Sequence, residues 1–134
     1  MNVINSILTT TVHVKDITKA RSFYTNAFGF KELQYDAAGK KAVFRVPGTE
    51  IPFSIHQWDG MCARGPMEGR PPGTVSGIVF SVNDVSRAAN DLKAKGARVT
   101  FGPEKLPDGT VLAAIADPDG NEFVLVPTGS APGA

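Results

Sequence analysis

The chain states nearly the same pattern twice, once over residues 9–57 and again over residues 77–127. Thr-Val-His-Val-Lys-Asp-Ile-Thr-Lys-Ala (11–20) and Val-Phe-Ser-Val-Asn-Asp-Val-Ser-Arg-Ala (79–88) align without a gap. Each is an alternating strand pattern that runs into an Asp and then into a helix. This repetition limits the chain to folds built from two like modules. Two β-α-β units related by a pseudo-two-fold axis bring matching positions to one site, so what those positions hold decides the chemistry.

The composition suits such a fold. A chain of 134 residues, 42% hydrophobic and 20% charged, has the makeup of one folded domain with a core. A formal net charge of +1 and the absence of long like-charge runs give no reason to expect nucleic acid or an anionic membrane as partner. The single cysteine, Cys62, excludes an internal disulfide and a cysteine-based zinc cluster, and fits a reducing compartment. The first eight residues lack a basic stretch and a long apolar stretch, and no segment has the length of a membrane span. The expected location is the cytoplasm.

Residues 7–14 alternate with period two, as a strand does. Asp16 stands at a helix N-cap, and Ile17, Ala20, Tyr24 and Ala27 recur at helical spacing before Gly29 ends the run. Residues 30–35, 41–46 and 51–58 are shorter strand patterns separated by turn residues. The second copy repeats this order. A strand over 78–82 leads to the cap Asp84 and to a helix burying Val85, Ala88, Ala89 and Leu92 up to Gly96. Strands over 98–101, 111–116 and 122–126 follow, the last two joined by Asp-Pro-Asp-Gly-Asn (117–121). The expected architecture is α+β, with two βαβββ modules in tandem forming a curved, partly closed mixed sheet around a cleft and the helices outside. The whole chain, 1–134, reads as one domain: module 6–58, a Gly-, Pro- and Arg-rich linker 59–75, module 76–128 and a flexible tail 129–134.

The strand-Asp-helix start with Ala20, Phe23, Tyr24 and Phe28-Gly29-Phe30, its second copy over 77–96, and the run from Ala116 to Leu125 together resemble the vicinal oxygen chelate superfamily. That superfamily includes glyoxalase I, bleomycin-resistance proteins and extradiol dioxygenases. In its metal-dependent members the resemblance implies a divalent ion held by His, Gln or Glu from the first and last strands of each module. The matching positions here are Thr9, Ser54, Gly77 and Val124. Glycine and valine offer no side-chain donor, and neutral hydroxyls are poor ligands for zinc, nickel or iron. The resemblance is therefore to the metal-free, bleomycin-resistance-like branch, with no metal and no cofactor expected and a homodimer implied.

Strand alternation groups Thr9, Thr11 and His13 on one face, Ser54, His56 and Trp58 on another, and Ser81 and Glu122 on the corresponding strands of the second module. These eight are the candidate ligand-binding residues, and no catalytic residue is assigned. His13 matches a place where glutathione-using relatives carry a polar or cationic substrate contact. Trp58 offers a flat surface for stacking, or else packs against the linker. His13, His56 and Glu122 form a two-His, one-carboxylate combination if they converge, though both imidazoles lie well past the family positions. Arg45, Arg64 and Arg70 are solvated cations by default, and Cys62 has no identifiable base beside it. Neither a phosphate loop nor a nucleophile-elbow motif occurs. Three functions remain: a metal-free binder of a small organic drug or metabolite; a lyase, isomerase or dioxygenase of the same superfamily, using a displaced metal or His and Glu acid-base groups; and an interaction module with a vestigial cleft.

Overall fold

The structure is a computed structural model and describes residues 3–58 and 72–130. It divides into two compact units, Met1–Pro72 and Gly73–Ala134. The first unit runs β1 (Thr10–Val14), α1 (Ile17–Asn26), β2 (Lys31–Asp36), β3 (Lys41–Arg45) and β4 (Phe53–Gln57). Its strands form an open four-stranded sheet of order β1-β4-β3-β2, with β1 parallel to β4 and the other pairs antiparallel. The second unit repeats the plan with β5 (Val75–Val82), α2 (Val85–Ala94), β6 (Arg98–Lys105), β7 (Val111–Ala116) and β8 (Glu122–Pro127), in sheet order β5-β8-β7-β6. The expected α+β class and tandem βαβββ modules are both present.

Both helices start where the two aspartates direct. Asp16 and Asp84 take extended backbone conformations, and their carboxylates accept the amide protons of Lys19 and Arg87. Each cap thus satisfies an N–H that the first helical turn leaves without an internal partner. The Gln57 side chain adds a second tie, accepting the Ile17 N–H at 3.0 Å and fastening the helix start to the end of β4. The apolar stripe of α1 then meets the sheet. Tyr24, fully buried, lies with its ring centroid 5.1 Å from Phe28, 5.2 Å from Phe53 and 6.1 Å from both Phe30 and Phe44. This aromatic cluster is the core of the first unit. In the second unit Ile115, Phe123 and Leu125 are buried with Val85 and Ala89 of α2, and Phe80 stacks on Phe123 at 5.1 Å.

Several element ends differ from the sequence expectation, and prolines and bulges account for them. β1 begins at Thr10 rather than at residue 7, and Ile7 and Leu8 are exposed. Its partner β4 begins at Phe53 rather than 51, because Pro52 accepts the Thr10 N–H but has no N–H with which to continue the ladder. β5 starts earlier than expected, at Val75, and absorbs Gly77 in an irregularity of its pairing with β8. Residues 73–75, expected as the end of the linker, belong to the second unit: the Gly73 and Thr74 amides donate to Asn121 and the Thr74 carbonyl accepts from Glu122. β6 continues past residue 101 to Lys105 through two register shifts. The rest of the expected linker, 59–71, and tail residues 131–134 lie outside the described residues. Among the described residues no helix is long and apolar enough to cross a membrane.

Candidate functional site

Because α1 covers one face of the first sheet, side chains of the opposite parity populate the other face. The pairing registers arrange them in two rows across the four strands. One row is Gln34 on β2, Val43 on β3, Ser54 on β4 and Thr11 on β1; the next is Asp36, Lys41, His56 and His13. A cavity of about 410 Å³ opens on this face, lined by Leu8, Thr9 and Pro52 at one end, Gln34, Val43 and Ser54 in the middle, and Asp36, Lys41 and His56 at the other.

Of the sequence candidates, Thr9, Ser54 and His56 line this cavity. Thr11 and His13 share its face by register but are not lining residues. His13 is buried and stands edge-on to His56, with ring centroids 6.3 Å apart and planes at 81°. Trp58, expected beside Ser54 and His56, falls one residue past the end of β4 and is not part of the lining. Its N–H closes the ladder onto the Val14 carbonyl at 2.9 Å, while its ring is 38% exposed. Ser81 and Glu122 lie in the second unit, where Ser81 is in register with Val126 and Glu122 with Ala116. Four residues of β8 separate those two positions, about 13 Å along the strand, and Val124 between them faces Val79 and Ala114. The sequence reading missed Leu8 and Pro52 next to the strand starts, and Gln34, Asp36, Lys41 and Val43 on β2 and β3. Alternation along β2 and β3 was the available signal, but only the cross-strand register shows that these side chains share a face with Ser54 and His56.

The four family metal-ligand positions do not fit a metal in this chain. Thr9 Oγ1 and Ser54 Oγ lie 2.7 Å apart, and Thr9 Oγ1 is 3.0 Å from the Pro52 carbonyl. Thr9 can donate to that carbonyl while accepting from Ser54, so the two hydroxyls satisfy each other and neither supplies a charged or imidazole donor. In the second unit Gly77 has φ +75°, a backbone conformation in which any ligand-bearing side chain would be strained, and Val124 has no donor atom. Among the described residues no group of three or more His, Cys, Asp or Glu side chains is placed to hold a metal ion.

Burial, then the neighbouring His13, then Lys41 push the His56 imidazole below its ordinary value of 6.5. The unfolded chain therefore binds a proton at His56 more readily than the folded one. His56 contributes stability that is fully present above its unfolded value and is lost as pH falls through the folded one. On lowering the pH from about 7.5 to about 5.5, the wild-type melting temperature should fall, and His56→Gln should lose less over the same interval. Equal slopes for the two proteins would show that His56 carries none of the effect.

The family model described as the Glyoxalase/Bleomycin resistance protein/Dioxygenase superfamily matches residues 6–125, and the chain belongs to that superfamily. It is 29% identical over 133 residues to lactoylglutathione lyase GLX1 of Arabidopsis thaliana, a match covering 89% of this chain and 43% of that protein. The chain thus spans less than half the length of the curated relatives it matches. A crystal structure of a superfamily member from Sphaerobacter thermophilus DSM 20745 is 30% identical, with a TM-score of 0.75 over 94% of this chain and 99% of that one. TnmS3, an antibiotic binding protein from Streptomyces sp. CB03234, is 27% identical, with a TM-score of 0.73 over 95% of this chain and 98% of its own.

Proposed function

We propose that this chain binds a small organic molecule, a drug or metabolite, and does so without a metal. The observation that carries the reading is the cavity of about 410 Å³ on the polar face of the first sheet. Its size falls in the range of about 300–1,000 Å³ usual for ligand pockets, and it combines apolar walls with a few polar groups that can orient a guest. The self-satisfied Thr9 and Ser54 hydroxyls support binding in place of metal chemistry, because the donors a divalent ion needs are missing from that spot. The likeness to an antibiotic binding protein supports the same reading. With it go the expectations that the two units act as one domain, that the protein works as a cytoplasmic homodimer, and that neither nucleic acid nor a membrane is its partner.

The test is a thermal-shift panel of organic compounds run in excess chelator, followed by titration of the hits. A true ligand at about 100 times its dissociation constant should stabilise the fold by about 2.7 kcal/mol, unchanged by chelator. Near-stoichiometric uptake of Ni, Zn, Mn or Fe(II) by the chelator-stripped protein would overturn the metal-free reading. A broad panel without a saturable shift would overturn binding. One observation favours a second reading, acid-base catalysis: an imidazole held below its ordinary value inside the cavity is a neutral base near pH 7. Turnover abolished by His56→Gln would establish it.

A further inference from the structure

The lining of the first-unit cavity is graded from end to end. Pro52, Ser54 and His56 follow one another on one face at the start and along the length of β4, about 13 Å from first to last. Leu8 flanks the proline end, Val43 sits directly opposite Ser54, and Lys41 sits directly opposite His56. One end is therefore mostly apolar, its Thr9 hydroxyl being taken up by Ser54 and the Pro52 carbonyl, and the other carries a primary ammonium beside an imidazole and the Asp36 carboxylate.

What matters for a guest is whether that ammonium is already neutralised. Asp36 is its cross-strand neighbour on β2, but the Asp36 carboxylate folds back over its own turn. Oδ1 accepts the Gly39 N–H at 3.0 Å, and Oδ2 lies so close that a Cβ built on Gly39 would come within 2.7 Å of it. Among the described residues Lys41 makes no ion pair; the salt bridge of this unit joins Arg21 to Glu32 and lies apart from the cavity. Lys41 is exposed, so water sustains its charge without a counter-ion.

We propose that the cavity takes an organic monoanion, its carboxylate or other acidic oxygen set between Lys41 and His56 and its apolar body lying along Ser54 toward Val43, Pro52 and Leu8. The inference rests on the reading of this cavity as a ligand site and adds the chemical class of the guest. An ammonium and an imidazole N–H give the acidic oxygen two donors from adjacent strands, spaced by the ladder itself. The apolar end excludes small inorganic anions as preferred guests, since they leave Leu8, Val43 and Pro52 uncovered.

The test compares two probes of one shape, 2-naphthoate and its neutral isostere 2-naphthamide, by calorimetric titration of the full chain. Naphthoate should bind about tenfold tighter or better, as expected for a hydrogen-bonded charge. Lys41→Met should remove most of that advantage by costing naphthoate much more than naphthamide, whose carbonyl accepts from the ammonium without a charge of its own, and Lys41→Arg should keep most of it. Asp36→Asn, which deletes the negative charge lining the cavity, should tighten naphthoate alone. Equal affinity of the two probes for the wild type, or an equal Lys41→Met loss for both, would overturn the anion and leave the binding cavity standing. A naphthoate loss in Asp36→Asn would also overturn it, because removing a negative charge beside Lys41 and His56 can only favour a carboxylate set between them. Binding of neither probe overturns the anion inference as well, and the compound panel then decides the cavity independently.

Discussion

Phe53→Ala should destabilise the first unit by about 3–5 kcal/mol, the usual range for emptying a buried phenylalanine site. Phe53 is almost fully buried, and its ring lies 5.2 Å from Tyr24 and 5.6 Å from Phe30. Deleting the ring removes packing on α1 and on the strand it belongs to, and the surrounding aromatics are too rigid to collapse into the space. The functional consequence follows from alternation: Phe53 points at the helix, and Ser54, the next residue, points into the cavity. Packing on one side of β4 thus holds the binding surface on the other. Urea unfolding measures the stability loss, and probe affinity should fall with it even though no lining residue changes. Trp58→Ala, at a 38% exposed site, serves as the contrast and should change stability by no more than about 1 kcal/mol. Comparable losses at the two positions would mean that the aromatic cluster is not the core.

The second large effect lies at Asn121 in the second unit. Asp117 and Asn121 are among the few buried polar residues there, at 2% and 1% exposure, and they saturate each other. Asp117 Oδ1 accepts the Asp119 and Asn121 amides, Oδ2 accepts the Asn121 side-chain amide at 2.9 Å, and Asn121 Oδ1 accepts the Gly73 amide at 2.9 Å and the Thr74 amide at 3.4 Å. Asn121→Ala takes the side-chain donor from a buried carboxylate and the acceptor from two backbone amides. A loss of about 2–4 kcal/mol is expected. Asn121→Asp should be at least as damaging, because it restores the acceptor but sets a second carboxylate against Asp117. Amide exchange separates this account from a general loosening. The Gly73 and Thr74 protons should lose protection first, and uniform loss across the unit would show that the network does not specifically tie down the segment entering β5.

Asp-Pro-Asp-Gly-Asn read from sequence only as a turn, and the structure gives it a second task that no local pattern carries: Asn121 reaches back 48 residues to fasten Gly73. The same limit separates what was legible from what was not. Helix starts were readable because a cap is a local contract between Asp16 and the amide three residues on, and the buried stripe of Ile17, Ala20, Tyr24 and Ala27 is set by helical period alone. Strand ends were not, because the end of β1 depends on whether a residue across the ladder, Pro52, has a proton to give. A third of the cavity lining, Thr9, Ser54 and His56, was readable from the alternation of residues 7–14 and of β4. Gln34, Asp36, Lys41 and Val43 enter through the pairing of β2 with β3, and an irregularity between Glu32 and Gln34 makes that register unpredictable from periodicity. Ser81 and Glu122 share a parity, but four residues of β8 separate their places.

The hydroxyl pair of Thr9 and Ser54, taken with the left-handed backbone at Gly77, makes this chain a poor starting point for conversion into a metalloenzyme by stepwise substitution. Thr9→His alone takes the hydroxyl partner from Ser54 with no ion bound in exchange, and the Pro52 carbonyl keeps the Thr10 N–H but loses the Thr9 hydroxyl. A ligand introduced at Gly77 adds backbone strain of about 1–2 kcal/mol before any metal can repay it. The steps at Thr9 and Gly77 thus weaken the fold before any metal is held, so the change succeeds only if several positions, and the backbone around Gly77, are rebuilt together.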